Sequence, residues 1–413
     1  MDLLGDRIHH CAERFCRMPV SRSLAALVLS ASSVGVAQNQ SQSAQDKLLH
    51  LNQIQVIGTH NSYNTGFAPS EAKYFSSTYP KAYHGLEYHH LSLPAQLSGG
   101  VRQLELDIVQ DPAGGRFAHP KIVEITKEQG LPADPDFDPT HEMDKPGFKV
   151  IHLGDLNERS SCQRFVTCLQ QIRTWSKAHP KHVPIFLLIE DKQGKISQMP
   201  GAVTAEPWTA ETWDAMDKEI RSVFREKEMI TPDQVRGSYP TLEAAVLAGK
   251  WPTLAKSRGK VMFLLYNRKS ASAYLAGHPM MKGRALFTNG RPGEPEAAFV
   301  EQDNGTPAAI DPLVKQGYLV RTRSDFNTDQ GRSNDTTRRD LLLSGGAQMI
   351  STDFPVSEPA PWTGYTVGLP GGLSAQCNPV NAPVGCNSAL LEPTTPHTPE
   401  PSPTHHPETL AKR

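Results

Sequence analysis

Four short segments carry residues whose types fit one chemistry. "IGTHNSYN" brings His60 and Asn61, "LELDI" brings Glu105 and Asp107, "VIHLGD" brings His152, and "FLLIED" brings Glu190. Asn61, Glu105, Asp107 and Glu190 offer only oxygen. That set suits a hard cation, Ca2+ or Mg2+, and not zinc, which prefers histidine and cysteine. The two histidines are then free to act on protons. A hard divalent ion beside two histidines can cleave a phosphodiester. The ion neutralises phosphate charge and lowers the pKa of a bound hydroxyl. One histidine can protonate the leaving oxygen. The other can hydrogen-bond the phosphoryl oxygens as charge builds on them.

These residues need elements that bring them together, and the hydrophobic pattern supplies candidates. Short apolar runs predict strands over 53–58, 101–109, 148–152, 183–190, 261–266, 285–288, 318–322 and 348–352. The runs at 185–189 and 261–266 are apolar almost without break, as in strands covered on both faces. Steps of three and four predict helices over 161–177, 209–226, 241–248 and 335–344, the last with Leu341 to Leu343 inward and the third capped by Thr241. Strands alternating with helices argue for a parallel α/β fold. Eight strands and no dinucleotide glycine fingerprint favour a (β/α)8 barrel.

A barrel of this kind builds its site at the C-terminal ends of its strands. His60 and Asn61 then end the first strand, His152 the third and Glu190 the fourth, with Lys192 just beyond. Arg321 and Arg323 end the seventh and Asp353 the eighth. Glu105 and Asp107 are two apart on one strand, so both face the same way. They interrupt an otherwise apolar strand, and a buried charge needs a partner or a metal. Gly58 reads as room for the backbone to pass close to the site. The link from 61 to 100 is long and rich in aromatic residues. Tyr74, Phe75, Tyr79, Tyr83 and Tyr88 are expected to pack this loop onto the barrel, and His84, His89 and His90 to be structural.

The rest of the chain bounds the setting. Its 413 residues are 38% hydrophobic and 21% charged, with a formal net charge of -1. Such a balance gives no support to nucleic-acid binding. Arg17 and Arg22 precede an apolar run from Leu24 to Ala37, with Gly35 and Ala37 at small-residue cleavage positions. That pattern predicts a secretory signal over 1–37, with no transmembrane span. Cys162, Cys168, Cys377 and Cys386 remain after its removal, and the two close pairs predict two local disulfides. Residues 38–46 are Gln- and Ser-rich and are expected to be a disordered linker. Residues 391–413 are proline-rich and are expected to be an extended tail. One catalytic domain is expected over 47–390.

With these motifs together, the chain resembles the calcium-dependent phosphoinositide-specific phospholipase C family in its secreted bacterial form. "VIGTHNSYN", "LSLPAQLSGGVRQLELDI", "FKVIHLGD" and "IFLLIEDK" carry the resemblance, in order, supported by "TLEAAVLAGKWPTLAKSRGKVMFLLYN" and "QMISTDFP". The resemblance implies a barrel that cleaves phosphatidylinositol between glycerol and phosphate. It implies one calcium ion on Asn61, Glu105, Asp107 and Glu190. The inositol 2-hydroxyl attacks phosphorus, His152 protonates the diacylglycerol oxygen, and His60 stabilises the transition state. Glu105, Glu190 and His60 are candidates for the base. Lys192, Arg321 and Asp353 are expected on the substrate side, Asp353 as partner of a histidine. The enzyme is expected to be exported, secreted or periplasmic, and to act as a monomer on a phospholipid surface. Two other readings compete. Glycerophosphodiester phosphodiesterases and sphingomyelinase-D-like enzymes share the layout but usually follow the first histidine with Arg-Gly, where this chain has Asn61. The third reading is a catalytically silent lipid- or inositol-binding barrel.

Overall fold

The structure is a computed structural model, and it describes residues 41–392. The predicted signal segment lies outside the described residues, as does the chain from 393 onward.

Alternation along each strand decides what turns inward. The main strands are β1 (Ile54–Thr59), β2 (Gln103–Asp111), β3 (Gly147–Val150), β4 (Ile185–Asp191) and β5 (Val261–Leu265), followed by β6 (Leu286–Thr288), β7 (Phe299–Glu301), β8 (Leu319–Arg323) and β9 (Met349–Thr352). The order β7-β8-β9-β1-β2-β4-β5 runs in parallel pairs, with β6 beside β5. A parallel bridge between Asn289 and Phe299 joins β6 to β7 and closes the ring at eight strands. The expected (β/α)8 barrel is therefore present.

Its membership differs from expectation at one strand. The run at 148–152 is not a barrel strand. It forms β3, antiparallel to the upper end of β2. Ser62 N–H donates to Glu105 O, and Ile151 N–H donates to Asp107 O two residues along, so both bond the same edge of β2. The eighth place belongs to β7, whose apolar run is too short to stand out in the sequence.

One set of alternate residues, including Val56, Phe186, Leu188, Met262, Phe299 and Met349, fills the lower barrel. The other set, including Leu104, Leu106, Leu187, Ile189 and Phe263, faces the helices and packs on Phe165, Leu169, Trp213 and Ile220. Those side chains belong to the expected helices, seen at Phe165–Ala178 and Ala210–Val223. Thr241 caps the helix Leu242–Leu247 through its hydroxyl, as its position predicts. The helix Thr337–Leu343 turns Leu342 inward but leaves Leu341 exposed, because a helix cannot bury three consecutive positions on one face. Gly58 leaves room not for the site but for Gln103, whose side chain would overlap a Cβ there. Among the aromatic residues of the first loop, Tyr88 packs as expected beside the barrel residues Ile57, Val320 and Ile350, whereas Tyr74, Phe75, Tyr79 and Tyr83 join Phe67 in a cluster with Ile122, Leu153, Leu156 and Met199 of neighbouring segments.

Both predicted disulfides, Cys162–Cys168 and Cys377–Cys386, are formed. Residues 42–46, expected to be disordered, begin the helix Gln42–Leu48. Its polar face is held by distant partners rather than by apolar burial. Arg258 forks onto Asp46 at 2.6 and 2.7 Å, and Gln45 donates to Asn387 O at 3.0 Å. Leu391 and Glu392, expected to begin the extended tail, are held in the fold. Leu391 is buried, and Glu392 pairs with the buried Arg102 and accepts from Val183 N–H at 3.0 Å. Breaking that pair strands a buried guanidinium. Glu392→Ala is expected to lower unfolding free energy by about 3 kcal/mol. A chain ending at Glu392 is expected to keep the full value, and urea unfolding of the two proteins decides the point.

Candidate active site

Register sets the site. Thr59 pairs with Thr352, which puts His60 beside Asp353. Asp107 pairs with Glu190, and Glu105 lies two residues below Asp107 on the inner face. Beyond β3, His152 is brought next to this edge by the bond from Ile151 N–H to Asp107 O. The sequence-expected residues thus meet at the upper mouth of the barrel.

His60 is anchored from several directions. Its Nδ1 lies 2.8 Å from Asp353 Oδ1, and its Nε2 lies 3.9 Å from Glu105 Oε1. An ionised carboxylate only accepts, so Nδ1 carries the proton toward Asp353 and Nε2 of the neutral ring is left as an acceptor. Burial, then Arg323 and Arg321, hold the His60 pKa well below the usual histidine range. For Asp353, burial pushes the carboxyl up while Arg323 pulls it down, its Nη2 lying 3.3 Å from Oδ2. His152 has no such anchor: its Nδ1 is buried with no hydrogen-bond partner. Burial, then Lys192, His60 and Arg323, keep it well below the usual range too.

The oxygen set is a good fit for a cation. Glu105, Asp107 and Glu190 place ligand oxygens within 4.8 Å of one another. Asp107 Oδ1 is buried and accepts no hydrogen bond, while Lys192 Nζ stands 3.0 Å from Oδ2. Asn61 is 1% exposed, takes a left-handed φ of 47°, and has a buried Oδ1 with no donor. Buried oxygens without donors are costly. Here a hard cation would supply what no N–H does.

Three residues sit differently from a simple substrate contact. Arg321 is 0% exposed and spends its guanidinium on Glu105, Asp303, Glu301 and Ser351. Expected on the substrate side, it is seen here holding Glu105. Asp353, 1% exposed, faces His60 and Arg323 rather than open space. Lys192 lies 2.9 Å from Glu190 Oε1 as well as against Asp107; burial disfavours its charge, but the two carboxylates outweigh this and raise its pKa.

Several site residues are not evident in the sequence. Glu301 ends the short β7 and Asp303 follows it, and Tyr266 donates to Asp303 Oδ2 at 2.7 Å. The spacing Glu301-Gln302-Asp303 repeats that of Glu105 and Asp107, the one signal that could have found it. His90, expected to be structural, reaches His60 O with Nε2 at 2.9 Å and Glu358 Oε2 with Nδ1 at 2.7 Å.

Burial, opposed by Arg321, pushes Glu105 up to about 7. Asp107 is also pushed well above its ordinary value by burial. A carboxylate ligand must lose its proton to bind a cation. Calcium affinity is therefore expected to fall by about tenfold or more per pH unit below about 7 and to level off above it. Calorimetric titration with CaCl2 at several pH values measures this, and a flat profile from pH 5 to 8 contradicts it.

Among the described residues no helix is long and apolar enough to cross a membrane. A family model described as Ca2+-dependent phosphoinositide phospholipase C matches residues 49–379. No curated protein sequence matches the chain. Among solved structures, it is similar to a calcium-dependent phosphoinositol-specific phospholipase C from Pseudomonas sp. at 16% identity and a TM-score of 0.48, covering 81% of this chain and 96% of that one. Another is the phosphatidylinositol-specific enzyme of Streptomyces antibioticus, at 20% identity and 0.46, covering 74% and 95%. That of Listeria monocytogenes gives 15% and 0.41, covering 76% and 94%. Because the family match spans most of its length, the chain belongs to the Ca2+-dependent phosphoinositide phospholipase C family and is a phosphodiester-cleaving enzyme.

Proposed function

We propose that this enzyme cleaves phosphatidylinositol between glycerol and phosphate, with Asn61, Glu105, Asp107 and Glu190 as the ligands of one calcium ion. The observation that carries this is the convergence of the Glu105, Asp107 and Glu190 carboxylates, together with a buried Asn61 Oδ1 that has no donor. When bound there, the cation supplies positive charge to offset that of the phosphate.

The chain's own residues manage the protons. The inositol 2-hydroxyl attacks phosphorus, and its proton passes to the side of the pocket where His60 Nε2 and Glu105 Oε1 face each other at 3.9 Å. The bond from phosphorus to the glycerol oxygen breaks as His152 donates a proton to that oxygen. His152 is neutral in the free enzyme, surrounded by Lys192, His60 and Arg323. The negative phosphate brings in the charge that lets it take up a proton. Once its Nε2 has taken up a proton, His60, held by Asp353, can donate it in a hydrogen bond to a phosphoryl oxygen. The products are diacylglycerol and an inositol phosphate.

The two disulfides fit an oxidising, extracellular or periplasmic setting. Export by a signal over residues 1–37, action as a monomer, and a catalytic domain over 47–390, extended to Glu392, complete the proposal.

The test is an assay of the mature protein on phosphatidylinositol and on glycerophosphocholine, in calcium and in excess chelator. Calcium-dependent release of diacylglycerol is expected. Release of choline or glycerol phosphate would favour the glycerophosphodiesterase, and binding without turnover the silent barrel.

A further inference from the structure

Residues 84–91 supply none of the oxygens assigned to calcium, yet they touch the residues that do the work. Tyr88 is 5% exposed. Its hydroxyl accepts from Asn61 Nδ2 at 2.8 Å and lies 3.2 Å from His60 Nδ1. The segment is itself well held. His90 N–H donates to Asn64 O at 2.7 Å, and the His90 ring spans His60 O and Glu358.

A side-chain amide has two ends of nearly equal shape and opposite polarity. Only one orientation of Asn61 turns Oδ1 away from Tyr88 as a ligand, and in that orientation the NH2 group is buried and needs an acceptor. Tyr88 provides it. Phenylalanine at 88 would offer none. The amide would then gain by turning its NH2 toward the neighbouring carboxylates, which would set an N–H where a cation belongs.

We propose that Tyr88 is a positioning residue for the metal: its hydroxyl oxygen holds Asn61 in the orientation that presents Oδ1 as a ligand. The claim rests on the assignment of Asn61 as a calcium ligand. It makes a prediction that a merely structural role for Tyr88 does not. Aspartate at 61 has two equivalent oxygens and no NH2 group, so the orientation no longer matters there.

The experiment is calorimetric titration of CaCl2 into four metal-free proteins: wild type, Tyr88→Phe, Asn61→Asp and the double variant, each with a thermal melt. Tyr88→Phe is expected to weaken calcium binding about tenfold when residue 61 is asparagine, as an unsatisfied buried amide implies. In the Asn61→Asp background the same change is expected to weaken it by less than about twofold, because no NH2 group is left to satisfy. An equal loss in both backgrounds, or no loss with asparagine present, overturns the proposal and leaves the calcium site standing. No calcium binding by the wild type overturns both.

Discussion

His152→Ala is expected to slow cleavage of phosphatidylinositol about 1,000-fold, and cleavage of an inositol phosphodiester with a phenolate leaving group less than about tenfold. The difference follows from basicity. A glycerol alkoxide is a far stronger base than a phenolate, so it departs only as a proton reaches it. His152 is placed for that donation. It stands beside Asp107 through the Ile151 bond, and its Nδ1 is buried without a partner. Burial and the neighbouring Lys192 and Arg323 make it a poor resting proton carrier and a strong acid once phosphate binds. Rates on both substrates, at saturating calcium, settle the matter. Equal losses would remove His152 from the general-acid role and leave it as a positioning group.

The second large effect belongs to Asp353. Asp353→Asn is expected to reduce kcat about 1,000-fold or more, as loss of a tautomer-fixing carboxylate can, while the protein stays folded. The carboxylate accepts the Nδ1 proton of His60 at 2.8 Å and so leaves Nε2 as the acceptor toward the pocket. An amide in its place can donate N–H to Nδ1, which moves the proton to Nε2. The ring would then present the wrong end to the substrate. Calcium affinity is expected to change little, because Asp353 is not among the ligands proposed. Asp353→Asn and Asp353→Glu are to be compared by kcat, calcium binding and Tm. A kcat loss matched by an equal loss of calcium binding, or full activity in Asp353→Asn, would sink the assignment.

Both expectations draw on residues that the sequence made visible and a geometry that it did not. His60, Asn61, Glu105, Asp107, His152 and Glu190 stand out because charged or polar groups end or interrupt apolar runs. A strand two residues per repeat also fixes Glu105 and Asp107 to one face. Glu301 and Asp303 repeat the same spacing but lie at the end of a strand of only three residues, too few to raise a signal. The opposite error occurred at 148–152. Its composition is that of a buried strand, and only its pairing shows that it runs antiparallel outside the ring. The Gln- and Ser-rich start misled for a different reason. Disorder is inferred from poor apolar burial, whereas residues 42–46 are held by hydrogen bonds to Arg258 and Asn387.

By itself the sequence determined the fold class, the polar residues that end or interrupt apolar runs, both disulfide pairs and the oxygen-only character of the proposed ligand set. These are local: they depend on residue type, on periods of two and 3.6, and on short spacings. The tertiary structure alone decided which neighbour each charge answers to. It turned Arg321 inward to hold Glu105, set Asp353 on His60, and laid Tyr88 against Asn61. Such pairings join residues up to 293 positions apart. They depend on barrel closure and register, and no local pattern encodes them.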